Sequence, residues 1–521
     1  MRLLLKGAPF ALLAFTLFSL PSCAGKFTRG FDPSATSGGT TPLSVAIRWP
    51  KTGATTSARG PRFISPSAKS VTLAMNGSLQ AVMNAPAVGG STTAVTVAYP
   101  IGGATLSMKS YDGANGTGTL LGEVDTVPVV TTGVANTIDL VIEGIAHSVA
   151  LSVVPNQPLL VGNATTGYTI LGDDPAIFNA VLKDADGNII LNGQPPITTS
   201  GASSIGVGYA NASESQISFL GTKQSTGYEN IVVSFNNPDG TVISAPSVKI
   251  KDEPLVAAID SATNSISLFD AAGNAVALPS GSFAGLVHPV SIAYDQCVRL
   301  LVVADSSLNT LMFYGLDGES YPYSVGPFPG ISDPVAVQTY VGVSSTEYAV
   351  ANDGDNSIRS YDIFGNTSNP WFWSYKPSAI ACLNDCTQIA EVSSGGQGTI
   401  VNYQGTPPTS FFPGLNQPVG LLGTYGLNPI VYALNRGNNS ITTYDTSGQP
   451  VTVTGTFPGL SQPGGFTYNP ASLGILVTND GNNSVSAYDL QGNAVALPTG
   501  AFPGLQTPSA ILGIPIGQCY N

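Results

Sequence analysis

Residues 482–505 read NNSVSAYDLQGNAVALPTGAFPGL, and versions of this stretch recur through the C-terminal half of the chain. Copies of its first part begin at Asn264 (NSISLFDAAG), Asn309 (NTLMFYGLDG), Asn356 (NSIRSYDIFG), Gly398 (GTIVNYQG), Asn439 (NSITTYDTSG) and Asn483 (NSVSAYDLQG), every 41 to 47 residues. Self-similarity at a fixed period means one supersecondary unit used repeatedly. Within a copy, apolar Val485 and Ala487 alternate with Ser484 and Ser486, the two-residue period of a strand. An apolar run ending in Asn, Asp and Gly comes before it, as in GILVTNDGN. Those residues take positive φ at little cost, so the pair of runs reads as a hairpin.

The second recurring element is Phe-Pro-Gly-Leu/Ile, at Phe328, Phe412, Phe457 and Phe502, with a decayed copy at Phe283. Pro-Gly is the chemistry of a type II turn, Pro setting φ and Gly supplying the positive one. A short strand opened by proline follows each copy, at Pro289, Pro334, Pro418, Pro463 and Pro508, and a further one at Pro377. Each unit therefore reads as four short antiparallel strands in roughly 40–45 residues, the size of a propeller blade. The pattern P-x-x-I/V…VADSSLNTLMFYGLDG resembles the NHL-repeat and YVTN-type propellers, over about Pro254 to Ile516. The resemblance implies the fold; such propellers serve as binding platforms, lactonases and lyases alike. Pro254 to Leu278 lacks a first strand, and Pro508 to Ile514 is a first strand with nothing after it. Joined, they complete one blade from both ends of the domain, a closure that removes free sheet edges.

Working back towards the N-terminus, His147 to Glu253 and Pro42 to Ala146 are also short β-branched runs parted by Gly, Asn and Pro. AVLKDADGNII resembles a turn of bacterial immunoglobulin-like domains. The chain is thus expected to be all-β: two immunoglobulin-like β-sandwiches, 42–146 and 147–253, then a six-bladed β-propeller, 254–521, closed by the shared blade. Met1 to Ser22 reads as a signal peptide, with Arg2 and Lys6 ahead of the apolar Phe10–Leu20. Leu20-Pro21-Ser22-Cys23 resembles a bacterial lipobox, which implies lipidation of Cys23 and an exported, envelope-anchored protein. Residues 23–41 would be its flexible tether.

Composition narrows function. Charged residues are 9% of the 521, against roughly a quarter in ordinary domains, and the net charge is −13 with only 18 Lys and Arg. That excludes nucleic acid and charge-driven binding to anionic lipid, leaving the lipid anchor as the membrane contact. Two histidines, His147 and His288, and no G-x-S-x-G elbow give no hydrolytic triad. Asp184-Ala185-Asp186-Gly187-Asn188 and Asn352-Asp353-Gly354-Asp355-Asn356 could offer calcium several oxygens, but neither has a full loop pattern, and hairpins need the same residues. No cofactor is therefore expected. The predicted inner strands carry one acid, Asp295, so an axial metal lacks ligands.

Binding is what remains. The turns between second and third strands would emerge on one propeller face, bearing Asp305, Asn309, Asn352, Asp353, Asp355, Asn435, Arg436, Asn438, Asn479, Asp480 and Asn482. Amides and carboxylates near Tyr suit a protein or glycan partner of the cell envelope. The alternative is a lactonase- or lyase-type propeller enzyme with a divalent metal on the axis. Trp371, Phe372, Trp373 and Tyr375 form an aromatic cluster expected to be buried between blades. Beyond Cys23 four cysteines remain, an even number in an exported chain. Cys382 and Cys386 bracket one short turn; Cys297 and Cys519 would lie in neighbouring turns where the ring closes, giving the pairs Cys382–Cys386 and Cys297–Cys519.

Overall fold

The structure, a computed structural model, describes residues 39–49, 64–65, 67–87, 92–131, 136–138, 143–190, 196–211, 216–279, 281–321, 328–341, 346–372, 376–383, 388–402, 412–424, 429–472 and 474–517. Among these the protein is all-β: strands, turns and short 3-10 segments at Ala114–Gly116 and Asp480–Asn482, with no α-helix. The signal peptide, Cys23, most of the tether, Trp373, Tyr375, Cys386 and Cys519 lie outside the described residues.

The first unit has two sheets. Thr40–Arg48 lies between Thr92–Pro100 and Asn136–Ile138, and a five-stranded sheet includes Ser70–Met75, Leu106–Tyr111 and Leu120–Thr126. Both bury alternate residues in one core, with Val45, Trp49, Leu73, Tyr99 and Leu106. The second unit repeats this plan. Ala176–Lys183 and Gln216–Gly221 alternate buried and part-buried residues, and Phe178, Phe219, Ile231, Phe235 and Ile250 fill the core. Its turn at Asp184–Asn188 reaches the first unit: Ser65 Oγ donates to Asp184 at 2.6 Å, and Asn188 Nδ2 donates to Ser67 Oγ at 2.7 Å.

Residues 255–514 form six sheets. Five open on a proline strand: Pro289–Asp295, Pro334–Val341, Pro377–Leu383, Pro418–Gly423 and Pro463–Tyr468. Each pairs antiparallel with the next strand of the chain, which pairs with the third. In the sixth sheet, Pro508–Ile514 pairs with Leu255–Asp260, so the two ends of the region share one sheet. The proline strands adjoin one another in chain order, and Pro508–Ile514 in turn adjoins Pro289–Asp295. Apolar cores follow the same circuit: Val302 and Val350 lie in one, Ala351 and Ile380 in the next, then Leu383 and Val431, Leu434 and Val477, Leu476 and Val256, Ile259 and Leu301.

Two devices recur, each in at least four of the sheets. The leading proline has no N–H for the ladder, and a register shift follows it in every sheet that it opens, as between Pro334 and Ala336. The residue opposite that proline turns its side chain inward and takes up the N–H groups of the entering loop. Asp305 accepts from Val287 and His288 at 2.7 and 3.0 Å, Asn352 from Ser332, Asn435 from Asn416, and Asn479 from Ser461. The other device pairs an aromatic of the third strand with the Phe of the Phe-Pro-Gly turn. Tyr314, Tyr361, Tyr444 and Tyr488 pack on Phe283, Phe328, Phe412 and Phe457, with ring centroids 4.6–5.4 Å apart. Their hydroxyls donate to the carbonyls of Ala284, Pro329, Pro413 and Pro458. Gly330, Gly414, Gly459 and Gly504 have φ of 79 to 86°, as the predicted turn requires.

Candidate functional site

The turns between second and third strands gather at one end of the six sheets, here the asparagine end. The structure divides the residues predicted there into two groups. Asp305, Asn352, Asn435 and Asn479 have no exposed surface. Their oxygens serve backbone N–H groups, as above, and the amides of Asn435 and Asn479 donate to Thr442 and Ser486 hydroxyls. These are buried polar groups with their bonds made inside the fold.

The rest stay at or near the surface. Asn309, in the left-handed conformation at φ 50°, accepts from Asp333 N–H at 2.6 Å and so ties its sheet to the next. Asn439 does the same for Gln462 at 2.7 Å. Asp355 pairs with Arg359 at 2.7 Å, Asp353 with Lys376 at 3.4 Å, and Arg436 with Asp480 of the neighbouring sheet. Asn438 and Asn482 are exposed and accept the hydroxyls of Ser440 and Ser484. Local charges are thus paired, and exposed amides and small side chains make up the surface between them. Val287 and Leu308 add exposed apolar area beside the Pro289 strand.

His288 Nδ1 and Ser306 Oγ lie 2.6 Å apart at this end, a contact not legible in the sequence because the residues are 18 apart in different loops. The adjacent Asp305 accepts the Val287 and His288 backbone N–H groups, and among the described residues no carboxylate is bonded to the His288 ring. The acid of the inner strands, Asp295, is also committed: it accepts from Cys297 N–H and from the buried Tyr348 hydroxyl at 2.8 Å.

At the opposite end, Asp270, Asp362, Asp445 and Asp489 each accept backbone N–H groups two and four residues on. Asp184 does the same in the second unit, with Asp186 and Asn188 as donors. The two sequences weighed for calcium are therefore carboxylate-capped or ion-paired turns. Among the described residues, no group of three or more His, Cys, Asp or Glu side chains is placed to hold a metal. A cavity of about 240 Å³ beside Ser265–Asp270 is lined by Ile266, Leu268, Val276, Leu278 and Phe283, and offers no titratable group. Cys297 and Cys382 are both disulfide-bonded. Thr367–Phe372 is a fourth strand on the Pro334 sheet, with Trp371 opposite Ile358.

One buried acid escaped the sequence reading. Glu391 is 1% exposed, neither carboxylate oxygen has a hydrogen-bond partner, and the Thr399 hydroxyl paired opposite it is also unpartnered. Burial pushes Glu391 up to about 8.

No family model matches the chain, and no curated protein matches it. Solved structures do. One is a protein of unknown function from Bacteroides thetaiotaomicron, 13% identical, with a TM-score of 0.38 over 70% of this chain and 94% of that one. Another is a functionally unknown protein from Desulfotomaculum acetoxidans, 12% identical, with a TM-score of 0.36 over 51% of this chain and 99% of that one.

Proposed function

We propose that the protein is an exported, lipid-anchored bacterial surface protein, in which two immunoglobulin-like sandwiches carry a closed six-bladed propeller that binds without catalysis. The cyclic order of sheets and cores, joined through the sheet shared by residues 255–260 and 508–514, supports the propeller reading. The partner is a protein or glycan of the cell envelope. One observation carries the choice of face: the second sandwich packs against the opposite end, through Leu171, Gly172 and Asp173 against Leu255, Leu316 and Arg299. The asparagine end points away from that contact, with exposed amides and charge-paired side chains that suit hydrogen bonding to a polar partner. Cys23 would anchor the chain, and Cys297–Cys519 would lock the joint of the ring.

The test uses the full chain, immobilised and probed with a glycan array and with defined envelope proteins. Binding should be lost in an Arg436→Ala, Asn438→Ala, Asn482→Ala variant that keeps the parent melting temperature. Binding unchanged in that variant would remove the assignment of the face. Stoichiometric calcium or zinc in the purified protein, with turnover of lactones, would replace it with the enzyme reading.

A further inference from the structure

The second two-sheet unit meets the six sheets at the place where their two ends pair. Its Leu159 and Leu171 share a core with Leu255, Leu301, Leu316 and Ile514. Gly172, at φ +72°, approaches so closely that a Cβ would stand 2.8 Å from the Leu255 and Leu316 methyls. Lys223 forms a bridge with Gly517, beyond the last strand. The unit therefore touches both ends of the region it closes.

Beside this contact sits Asp173, 1% exposed. Arg299 Nε stands 3.6 Å from it, too far for a good hydrogen bond, and neither Asp173 oxygen has a partner at full hydrogen-bond geometry, with the Tyr294 hydroxyl as its nearest donor. The buried Tyr294 hydroxyl faces Asp173 and favours its ionised form only weakly, and Asp252 Oδ2 is unpartnered. Charged and titratable groups facing Asp173 are Arg299 and Tyr294 from the Pro289 sheet, and Asp174 and Asp252 from its own unit. Asp295 acts on Tyr294, and Glu229 on Asp252. Among the described residues, Arg299 is the cation that acts on Asp173, against several acids in a desolvated contact.

We propose that Asp173 is a pH-operated latch between the second sandwich and the propeller, holding them together when protonated and releasing them when ionised. Burial raises its carboxyl from 3.8 to about 7, against the pull of Arg299. Between those values the docked state keeps a proton that a hydrated Asp173 would give up. Docking therefore weakens as pH rises through this window, by on the order of a thousandfold in equilibrium constant, and levels off above it.

Small-angle scattering from the full chain tests the latch at pH 5 and pH 8, with circular dichroism to confirm that the sheets stay folded. The radius of gyration should be larger at pH 8 in the parent. Asp173→Asn, which cannot ionise, should stay compact at both values. Arg299→Leu removes the opposing cation and should extend the opening to higher pH; it also serves as the readout if Asp173→Asn does not fold. Equal dimensions at both pH values in the parent, or a parent-like pH response in Asp173→Asn, would overturn the latch.

Discussion

Tyr488 packs its ring on Phe457 and donates its hydroxyl to the Pro458 carbonyl at 2.7 Å, the arrangement that recurs at Tyr314, Tyr361 and Tyr444. Tyr488→Phe keeps the ring and leaves that carbonyl without its donor, so it should cost about 1 kcal/mol in urea denaturation. Glu391 acts in the other direction. At the corresponding place the other second strands carry Ala258, Val303, Val350, Ala433 and Val477. Its carboxyl, raised from 4.5 to about 8 by burial, is favoured in the fold only while protonated. Its contribution is present below pH 4.5 and is lost as pH rises through 8, a change of at most about 5 kcal/mol. Glu391→Val should therefore gain on the parent progressively between pH 4.5 and 8 and then hold level, as followed by urea melts across that range. A constant difference would mean that Glu391 is not the titrating group.

At the scale of elements, the turns explain what was and was not legible. The spacing of Phe-Pro-Gly gave the type II turns, whose glycines do take positive φ. Alternation in NSVSAYD gave the strand Ser484–Asp489, and the two partial copies at the ends gave the pairing of Leu255–Asp260 with Pro508–Ile514. The direction of Asn and Asp side chains was not legible, since these residues form turns, cap loops and face solvent with one composition. Asn479 and Asn482 differ by three residues, yet one is buried under the loop at Ser461 and the other is exposed. The tyrosine–phenylalanine pairs were also missed, because their partners are some 30 residues apart and meet only when the chain returns. At Asp184–Asn188 backbone N–H groups take up the carboxylate, and at Asn352–Asn356 Arg359 and Lys376 pair with the acids. Chelator should leave the melting temperature of the full chain unchanged, whereas a bound ion at a hundredfold excess over its Kd would stabilise by about 2.7 kcal/mol. A chelator-induced drop would reverse this reading.

At the scale of the molecule, stability is distributed around a circuit in which each core is shared by two sheets. The sheet built from both ends of the region joins its first strand to its last. Pro508–Ile514 pairs along Leu255–Asp260, and Ser261 and Asp260 bond to residues 506 and 507. The second unit rests on the same place, which makes it a brace for the joint as well as a carrier. We propose that residues 255–514 form one closed cooperative ring. This is tested most directly by thermal unfolding of the chain with residues 508–521 deleted. The account predicts loss of the cooperative transition of this region, because the Leu255 strand loses its partner and two cores are opened. A truncated chain melting at the parent temperature would contradict it.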